Sequence, residues 1–504
     1  MIMRVLGVSL MLLAVGAFSA AGQDATIKID IERTIGAIDP MIYGGFIEHM
    51  GRCIYGGIYD PGNPLSDEDG FRKDTLQAVR DLQMPIIRWP GGNFSSGYHW
   101  MDGIGPREKR PARVELAWGS VESNQIGTDE YLAWCRKVGT EPYICVNLGT
   151  GSWEEARAWV EYCNRPKGTY YADLRVQNGH EEPYGVKYWG LGNEIDGPWQ
   201  MGYKNAEDYS KFALEAAKLM KWMDNKIQLI ASGSSHFGAD WMEWNRTVLE
   251  TLRDQIDFIS LHTYVGSRGN YLEFMAQPVN VDRRIERTAA LIEETRLRHN
   301  IQKPIYIAFD EYNVWHRANA QFEVPYVFED ALVVAGFLNS FVRHADSVKM
   351  ANMAQVVNVL APIHVEERGL YLHTIYFALQ LFARHCHGNA LDIFVKSPTF
   401  DAAGFKGVPY LDVSAAYDPA KKQLVIAAVN RHPEQALSTR IVNQTGALKD
   451  QAKVYELFHE DLKAANSFDG APVQPVEKTT SCQADGLTYT FPPHSFSLIV
   501  AEVE

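Results

Sequence analysis

The sequence lacks several features by which large classes of protein are recognised. Its 504 residues contain no basic run, no strand-like segment followed by GxGxxG and no CxxC pair among six cysteines. These absences argue against a nucleic-acid partner, a nucleotide-binding doubly wound sheet and a zinc finger, respectively. After the N-terminal segment no apolar run is long enough to cross a bilayer, so no membrane span is predicted.

The composition predicts an ordinary globular protein of about two large domains. Hydrophobic residues make up 46% of the chain and charged residues 22%, which is close to average usage. Lys and Arg total 48 against 62 Asp and Glu, so the net charge is −14 with His counted neutral. An acidic balance favours solubility but identifies no ligand.

The N-terminal segment Met1–Gly22 has the three-part layout of a secretory signal. One charged residue, Arg4, precedes an apolar run from Val5 to Phe18, and small residues follow. This layout predicts cleavage and export to the periplasm or out of the cell. The competing interpretation is a buried N-terminal helix. Export would permit disulfides, although the cysteines show no pairing pattern and are expected to be buried thiols.

Short apolar segments alternate with helix-like segments over most of the chain. Eight segments have the character of buried strands: Met41–His49, Pro85–Asn93, Glu141–Gly149, Val186–Glu194, Gln228–Ser235, Ile256–Tyr264, Pro304–Tyr312 and Val348–Asn358. Seven segments are helix-like: Asp67–Leu82, Thr128–Val138, Trp153–Asn164, Ala206–Met223, Trp241–Arg253, Val281–His299 and Val324–His344. This alternation predicts an α/β fold, a (β/α)8 TIM barrel over residues 41–384, with an open doubly wound sheet as the alternative.

Beyond residue 385 the strand-like segments follow one another without long helices between them. Leu411–Tyr417, Gln423–Asn430 and Ser495–Ala501 are examples. This pattern predicts a C-terminal all-β sandwich domain over residues 385–504. Thr26–Ile31 also alternates polar and apolar residues, so the segment 23–40 is predicted to pair with that sandwich.

Polar side chains collect where the predicted strands end, which is where a (β/α)8 barrel carries its chemistry. The fourth strand ends in Asn193-Glu194 and the seventh runs into Asp310-Glu311. Two carboxylates that face each other across a pocket are typical of glycoside hydrolysis. A separation of about 5–5.5 Å predicts retention of configuration and about 6.5–9.5 Å inversion. Strand alternation places only one of Asp310 and Glu311 inside the barrel and leaves the choice open.

Other residues at the strand ends are candidates for contacts with a sugar. Asn193, Glu48, His262 and Tyr264 offer polar atoms for sugar hydroxyls or for tuning a carboxylate, and Trp89, Trp118 and Trp315 offer stacking faces. Each also has a purely structural interpretation, such as a turn-forming Asn or a core Trp.

Six groups of residues occur in one order between about residues 44 and 360. They are Gly44–His49 with Arg52–Tyr59, Arg88–Phe94 with Asp102–Pro106, Leu116–Trp118 with Ser120–Glu122, Trp189–Gln200, His262–Tyr264 and Phe309–Trp315. Together they resemble glycoside hydrolase family 51, the α-L-arabinofuranosidases. The β-rich C-terminal part resembles the second domain of that family. Tyr312 departs from the pattern, since relatives often carry Trp there.

The resemblance implies a role for each candidate. Glu194 matches the general acid/base and Glu311 the nucleophile, so Asp310 is not the nucleophile. The implied sugar-binding residues are Glu48, Asn93, Trp118, Asn193, His262, Tyr264, Trp315 and Gln355. The implied reaction is a retaining, exo-acting release of L-arabinose from arabinoxylan, arabinan and their oligosaccharides, with no metal or organic cofactor. Relatives commonly form hexamers.

Two other functions remain as alternatives. One is an endo-acting β-glucanase or xylanase on a related barrel, which shortens chains without releasing arabinose. The other is a carbohydrate-binding protein without catalysis, against which both catalytic Glu positions are present.

Overall fold

The computed structural model describes residues 25–316 and 322–504. The predicted signal segment Met1–Gly22 lies outside them. Eight parallel strands form a closed barrel in chain order, here called barrel strands 1 to 8: Gly44–Phe46, Ile86–Trp89, Glu141–Val146, Tyr188–Leu191, Gln228–Ala231, Phe258–Val265, Tyr306–Val314 and Val348–Ala354. All eight predicted strands are present, so the barrel is confirmed and the open sheet is excluded.

The helices follow the predicted alternation. Their bounds are Lys73–Asp81, Thr128–Val138, Trp153–Asn164, Tyr170–Gln177, Ala206–Met223, Trp241–Leu252, Tyr271–Met275, Pro278–His299, Phe328–Arg343 and Thr374–His385. Side-chain caps help to define two of them, because Ser152 accepts the amide hydrogen of Glu155 and Asn205 accepts that of Asp208. Short 3-10 helices occupy Pro40–Tyr43, Asn93–Gly97, Trp100–Gly103 and Arg107–Lys109.

Barrel strand 1 is shorter than predicted because the chain before it coils. Pro40–Tyr43 is helical, and the side chain of Asp39 accepts the amide hydrogen of Met41 at 3.0 Å. The strand therefore begins at Gly44, next to barrel strand 8. Side chains at Gly44 and Gly45 would clash, since an added Cβ would lie 2.6 Å from Ile86 and 2.5 Å from Val356, respectively.

The C-terminal region consists of two β-sheets. One contains, in order, Phe394–Lys396, Ala25–Ile29, Leu437–Asn443 and Gly486–Phe491. The other contains, in order, Thr34–Ala37, Asn389–Leu391, Leu411–Asp418, Gln423–Asn430, Ser495–Val503, Leu448–Leu457 and Val476–Ser481. The two strands before the barrel thus join one sheet each, and Ala25–Ile29 runs parallel to Leu437–Asn443.

Three short ribbons complete the strands. They are Arg113–Val114 with Val121–Glu122, Ile363–Glu366 with Gly369–Leu372, and Thr399–Ala402 with Phe405–Pro409. No helix within the described ranges is long and apolar enough to cross a membrane. All six cysteines are buried and free.

The barrel interior is filled at its amino end and open at its carboxyl end. One buried side chain from each of seven strands forms a packed layer: Ile86, Tyr143, Tyr188, Ile230, Phe258, Ala308 and Met350. Such a layer makes the barrel a solid core and not a pore. A second apolar core lies in the C-terminal region, with Ile27, Ile441 and Ile499 among its members.

Candidate active site

A cavity of about 530 Å³ lies at the carboxyl end of the barrel. It is lined by nine of the ten predicted site residues: Glu48, Asn93, Trp118, Glu194, His262, Tyr264, Glu311, Trp315 and Gln355. Asn193, the tenth, is buried just behind the wall, and its amide nitrogen lies 3.5 Å from the side-chain oxygen of Asn93. The structure thus brings all ten residues together.

Glu311 is held by charged and polar partners on both carboxylate oxygens. Arg88 donates to Oε2 at 2.9 Å, and the hydroxyl of Tyr264 donates to Oε1 at 2.6 Å. The same guanidinium donates to the side-chain oxygen of Asn193. The side chain of Glu311 is 9% exposed. Its position is therefore set by fixed neighbours.

Asp310 and Glu311 both point into the barrel, which corrects the expectation that only one of them would. Barrel strand 7 is irregular here: Phe309 pairs with Ala351, whereas Tyr312 pairs with Met353, so the strand carries one extra residue. Such a bulge breaks the alternation of side chains. Asp310 accepts hydrogen bonds from Tyr143 at 2.7 Å and from Ser260.

His262 links Asp310 to both glutamates. Its Nε2 lies 3.3 Å from Asp310 Oδ1, and its Nδ1 lies 2.9 Å from Glu194 Oε1 and 3.5 Å from Glu311 Oε2. Burial disfavours the charged imidazole, but Glu311 and the hydrogen bonds to Asp310 and Glu194 outweigh it and raise the pKa of His262 well above its usual range. Burial also opposes ionisation of Asp310, yet Arg88 and His262 lower its pKa to about 2.

Glu194 lies beyond the end of barrel strand 4, with its backbone in the left-handed region at φ 45°. A residue with a Cβ is strained there, by about 1–3 kcal/mol. Its Oε2 accepts a hydrogen bond from the indole nitrogen of Trp199 at 2.8 Å, and the Trp199 residue is 53% exposed. An oxygen of Glu194 lies within 4.8 Å of an oxygen of Glu311.

Glu48 forms the opposite side of the cavity. It accepts hydrogen bonds from Trp118 at 3.1 Å, from Gln355 at 3.0 Å and from the amide of Phe94 at 3.0 Å. Burial raises the pKa of Glu48 to about 8, and the charge of Glu311 adds to the rise. A Cβ built on Gly92 would lie 3.4 to 3.5 Å from Asn193, Glu311 and Glu48 at once, so these side chains converge on one point.

Glu194, His262 and Glu311 also meet the distance criterion for a cation site among the described residues. Both ring nitrogens of His262 contact carboxylates, Nδ1 that of Glu194 and Nε2 that of Asp310. The trio is therefore a hydrogen-bonded acid–imidazole cluster.

Four functional side chains were missed by the sequence analysis. Arg88 and Asp310 stood in the strand-end motifs without an assigned role, although a charged residue inside a buried strand is itself a signal. Trp199 lies in a loop, and nothing in the sequence pairs it with Glu194. Arg284 lies on the helix Pro278–His299 and reaches the cavity from there.

A closed (β/α)8 barrel with two facing carboxylates within 4.8 Å defines a class of protein. These oxygens lie no farther apart than the roughly 5–5.5 Å between the carboxyl groups of retaining enzymes, which favours retention over the 6.5–9.5 Å geometry of inverting ones. The class is a retaining glycoside hydrolase.

Similarity to known proteins identifies the family within this class. The family model for the "Alpha-L-arabinofuranosidase 1 domain" matches residues 78–276, and that for the "Alpha-L-arabinofuranosidase C-terminal domain" matches residues 310–495. The "Intracellular exo-alpha-(1->5)-L-arabinofuranosidase 1" of Bacillus subtilis is 43% identical over 94% of this chain and 98% of its own length.

Solved structures of α-L-arabinofuranosidases support the same family. The crystal structure of an α-L-arabinofuranosidase from Thermotoga maritima with arabinose superimposes with a TM-score of 0.89 and 41% identity over 95% of this chain and 100% of its own. A family 51 α-L-arabinofuranosidase from Bifidobacterium longum gives the same TM-score and coverage at 33% identity. The chain belongs to glycoside hydrolase family 51, the α-L-arabinofuranosidases. Its activity is that of a retaining, exo-acting α-L-arabinofuranosidase on arabinose-containing substrates. The predicted family and activity are confirmed.

The predicted export is wrong. Relatives from Bacillus subtilis, Halalkalibacterium halodurans and Acetivibrio thermocellus, 43%, 42% and 39% identical to this chain, are all named intracellular. They match 94%, 88% and 92% of this chain. The export prediction rested on the composition of a 22-residue segment, whereas this likeness extends over most of the chain. We withdraw the periplasmic or secreted location.

The endo-acting alternative retains only a similarity of fold. A bifunctional glucanase-xylanase, CelM2, superimposes with a TM-score of 0.62 at 12% identity. At that identity the shared feature is the architecture, which hosts many activities.

Proposed function

We propose that Glu311 is the nucleophile and Glu194 the general acid/base of this hydrolase. The observation that carries the proposal is the pair of carboxylates within 4.8 Å, one after barrel strand 4 and one in barrel strand 7. Their surroundings differ in the required sense. Arg88 and Tyr264 donate to both oxygens of Glu311, whereas the oxygens of Glu194 contact Trp199 and His262 and no guanidinium among the described residues.

The mechanism follows from this asymmetry. Glu311 attacks the anomeric carbon of the arabinofuranosyl unit, while Glu194 donates its proton to the leaving oxygen. Glu194 then takes a proton from a water molecule, which attacks the same carbon and displaces Glu311. Two inversions at one carbon retain the configuration and release L-arabinose.

The remaining predicted residues receive binding roles in this proposal. Glu48, Asn93, Asn193 and Gln355 bind arabinose hydroxyls, which their position around the cavity supports. Trp118 and Trp315 line the apolar face of the sugar site. His262 and Tyr264 hold the two catalytic carboxylates, as their hydrogen bonds to Glu194 and Glu311 support.

The proposed substrates are terminal non-reducing α-L-arabinofuranosyl units of plant arabinan, arabinoxylan and their oligosaccharides. Several relatives are named for α-(1→5) linkages, which favours the backbone linkage of arabinan as the preferred bond. Initial rates on α-(1→5)-linked and α-(1→3)-linked disaccharides test this preference. Faster cleavage of the α-(1→3) isomer would contradict it.

The roles are tested with p-nitrophenyl α-L-arabinofuranoside, the full chain, and the variants Glu194→Ala and Glu311→Ala. We expect wild type to release p-nitrophenol, Glu311→Ala to be inactive, and azide to restore turnover only to Glu194→Ala. The azide product should keep the α configuration. Azide rescue of Glu311→Ala with the α configuration kept, together with inverted product from Glu194→Ala, would exchange the two roles.

We also propose that the chain assembles as a homo-oligomer, a hexamer by its resemblance to the family. Sedimentation equilibrium should give a mass six times that of one chain. A monomeric mass at micromolar concentration would reject it.

A further inference from the structure

Arg284 lines the cavity without a carboxylate partner among the described residues. Its one hydrogen bond within the described part of the chain runs from Nη1 to the hydroxyl of Thr263. The guanidinium carbon lies 3.3 Å from the centroid of the Phe237 ring, so one face of the group is covered. None of its nitrogens is among the fully buried atoms without a partner, so the free N–H groups open onto the cavity.

Other buried guanidinium groups of this protein are compensated. Arg88 contacts Glu311, Arg110 contacts Glu130, and Arg343 contacts Asp282 and Asp412. Arg175 has no acid but donates to four backbone carbonyls. Burial alone lowers the pKa of Arg284 to about 9, and no neighbouring acid raises it. The group therefore stays charged at neutral pH, and a buried charge is costly unless it is paired.

Arg284 stands on the same side of the cavity as Glu194. The Trp199 ring that contacts Glu194 packs edge-on against His236, with ring centroids 5.8 Å apart. His236 precedes Phe237, the ring beneath Arg284. Glu48 and Gln355 come from barrel strands 1 and 8, on the opposite side. Because the acid/base protonates the leaving oxygen, the side of Glu194 receives the leaving part of the substrate, the aglycone.

We propose that Arg284 forms a carboxylate-binding subsite for the aglycone, so that, among substrates with the same linkage, this enzyme favours arabinofuranosyl units attached beside a uronic acid. A planar guanidinium matches a carboxylate through two parallel hydrogen bonds. The carboxylate that a glycan chain carries is that of a uronic acid. The inference rests on the proposed role of Glu194, which defines the aglycone side.

The test compares one oligosaccharide in two forms. It carries a terminal arabinofuranosyl unit next to a uronic acid, either as the free acid or as the neutral methyl ester. Binding of both forms is measured by calorimetry on the full chain carrying Glu311→Ala, which prevents turnover. We expect the free acid to bind about tenfold to a hundredfold more tightly than the ester, the range of one charge-assisted contact.

Three further substitutions identify the residue responsible. Adding Arg284→Gln should bring the acid-to-ester affinity ratio to about 1. Arg284→Lys should give an intermediate ratio, because the ammonium keeps the charge but cannot form the two parallel hydrogen bonds of a guanidinium. Arg287→Gln removes an exposed arginine from the same helix and should leave the ratio unchanged. Thermal melts check that each variant is folded, and the lysine variant remains informative if the glutamine variant unfolds.

Two outcomes would overturn the proposal. One is an acid-to-ester affinity ratio near 1 in the chain with Arg284 intact. The other is a ratio that stays the same after Arg284→Gln. Hydrolysis of the neutral ester by wild type is measured separately. If the ester is cleaved but the ratio is 1, the subsite fails and the proposed function stands. If neither form is cleaved while the acid binds more tightly, the proposed roles of the two glutamates fail, and Arg284 remains a carboxylate-binding site without the aglycone assignment.

Discussion

Glu311 and Glu194 carry the same functional group in two differently built parts of the cavity. Glu311 lies within barrel strand 7, at its bulge, and Arg88 and Tyr264 fix its oxygens. Glu194 lies beyond the end of its strand with φ 45°, and its oxygens contact His262 and the half-exposed Trp199. The difference teaches that the fold separates two demands. In the proposed mechanism, the nucleophile needs a fixed position, whereas the acid/base must change its protonation state during the reaction.

The largest expected effect comes from removing the support of Glu311. Arg88→Lys leaves a single ammonium where a fork now contacts Glu311, Asn193 and the Asp310 carbonyl. We expect kcat on p-nitrophenyl α-L-arabinofuranoside to fall by about 10²–10³-fold. Arg72→Lys is the matched control, because Arg72 is equally buried but pairs with Asp74. It should lower the melting temperature and leave kcat unchanged; an equal loss of kcat in both variants would refute the assignment.

The hydroxyl of Tyr264 is the next support to remove. Tyr264→Phe deletes the 2.6 Å hydrogen bond to Glu311, and we expect kcat to fall by about 10- to 100-fold. Tyr312→Phe is the control, because the buried Tyr312 hydroxyl has no hydrogen-bond partner in the described part of the chain. That variant should keep its activity and its stability. Comparable kcat values for the two variants would contradict the role of Tyr264.

Asp310 makes the Glu311 side of the cavity sensitive to acid. Its folded-state pKa of about 2 lies below the ordinary 3.8, so its ionised form stabilises the fold above about pH 4. That stabilisation is lost as pH falls from about 4 towards 2. Asp310→Asn should therefore lower the free energy of unfolding by about 2 kcal/mol at pH 6 and by less at pH 3. Denaturant unfolding at both pH values measures this, and a pH-independent difference would argue against it.

Asp282 provides the control for that experiment. Its pKa is also lowered to about 2: burial opposes the shift, and Arg343 and His344 outweigh it. Asp282 lies outside the cavity, so Asp282→Asn should show the same pH dependence of stability with kcat unchanged. Asp310→Asn should lower both the free energy of unfolding and kcat.

The smallest effect tests the backbone on which each glutamate lies. Glycine relieves strain at a positive φ but weakens a strand, in each case by about 1 kcal/mol. Glu194→Gly should therefore be more stable than Glu194→Ala, whereas Glu311→Gly should be less stable than Glu311→Ala. Unfolding free energies of the four variants give both differences. If the Gly-minus-Ala difference in unfolding free energy has the same sign at both positions, backbone conformation does not distinguish the two glutamates.

Much of the fold follows from local pattern. Thr128–Val138, Trp153–Asn164 and Ala206–Met223 have the predicted bounds, because apolar spacing and caps define these helices locally. The short barrel strands end earlier than predicted, since Glu48 and Glu194 lie in the loops that follow them and Asn93 begins a 3-10 helix. Thr374–His385 was not predicted. Its burial depends on the C-terminal sheets, where Phe382 stacks on Phe496, a contact between distant segments.

The site was predictable where its residues occur in strand-end motifs and not where it depends on long-range pairing. The bulge at Asp310 and Glu311 arises from pairing with barrel strand 8, which no local pattern encodes. The contact of Arg284 with Phe237 joins the helix after barrel strand 6 to the loop after strand 5, and Trp199 packs on His236 of that same loop. Tertiary packing determined these contacts.

The strand Ala25–Ile29 has a consequence for the synthesis of the chain. Its two neighbours in the sheet are Phe394–Lys396 and Leu437–Asn443. At roughly 5–20 residues per second, a ribosome makes the second of these about 20–80 s after the first strand. Until then, the strand that contains Ile27 and Ile29 lies beside the growing barrel without its partner strands. Its exposed edge is prone to aggregation. The ends of this protein meet last, so a ribosome that stalls before residue 437 would release a barrel with an unprotected strand.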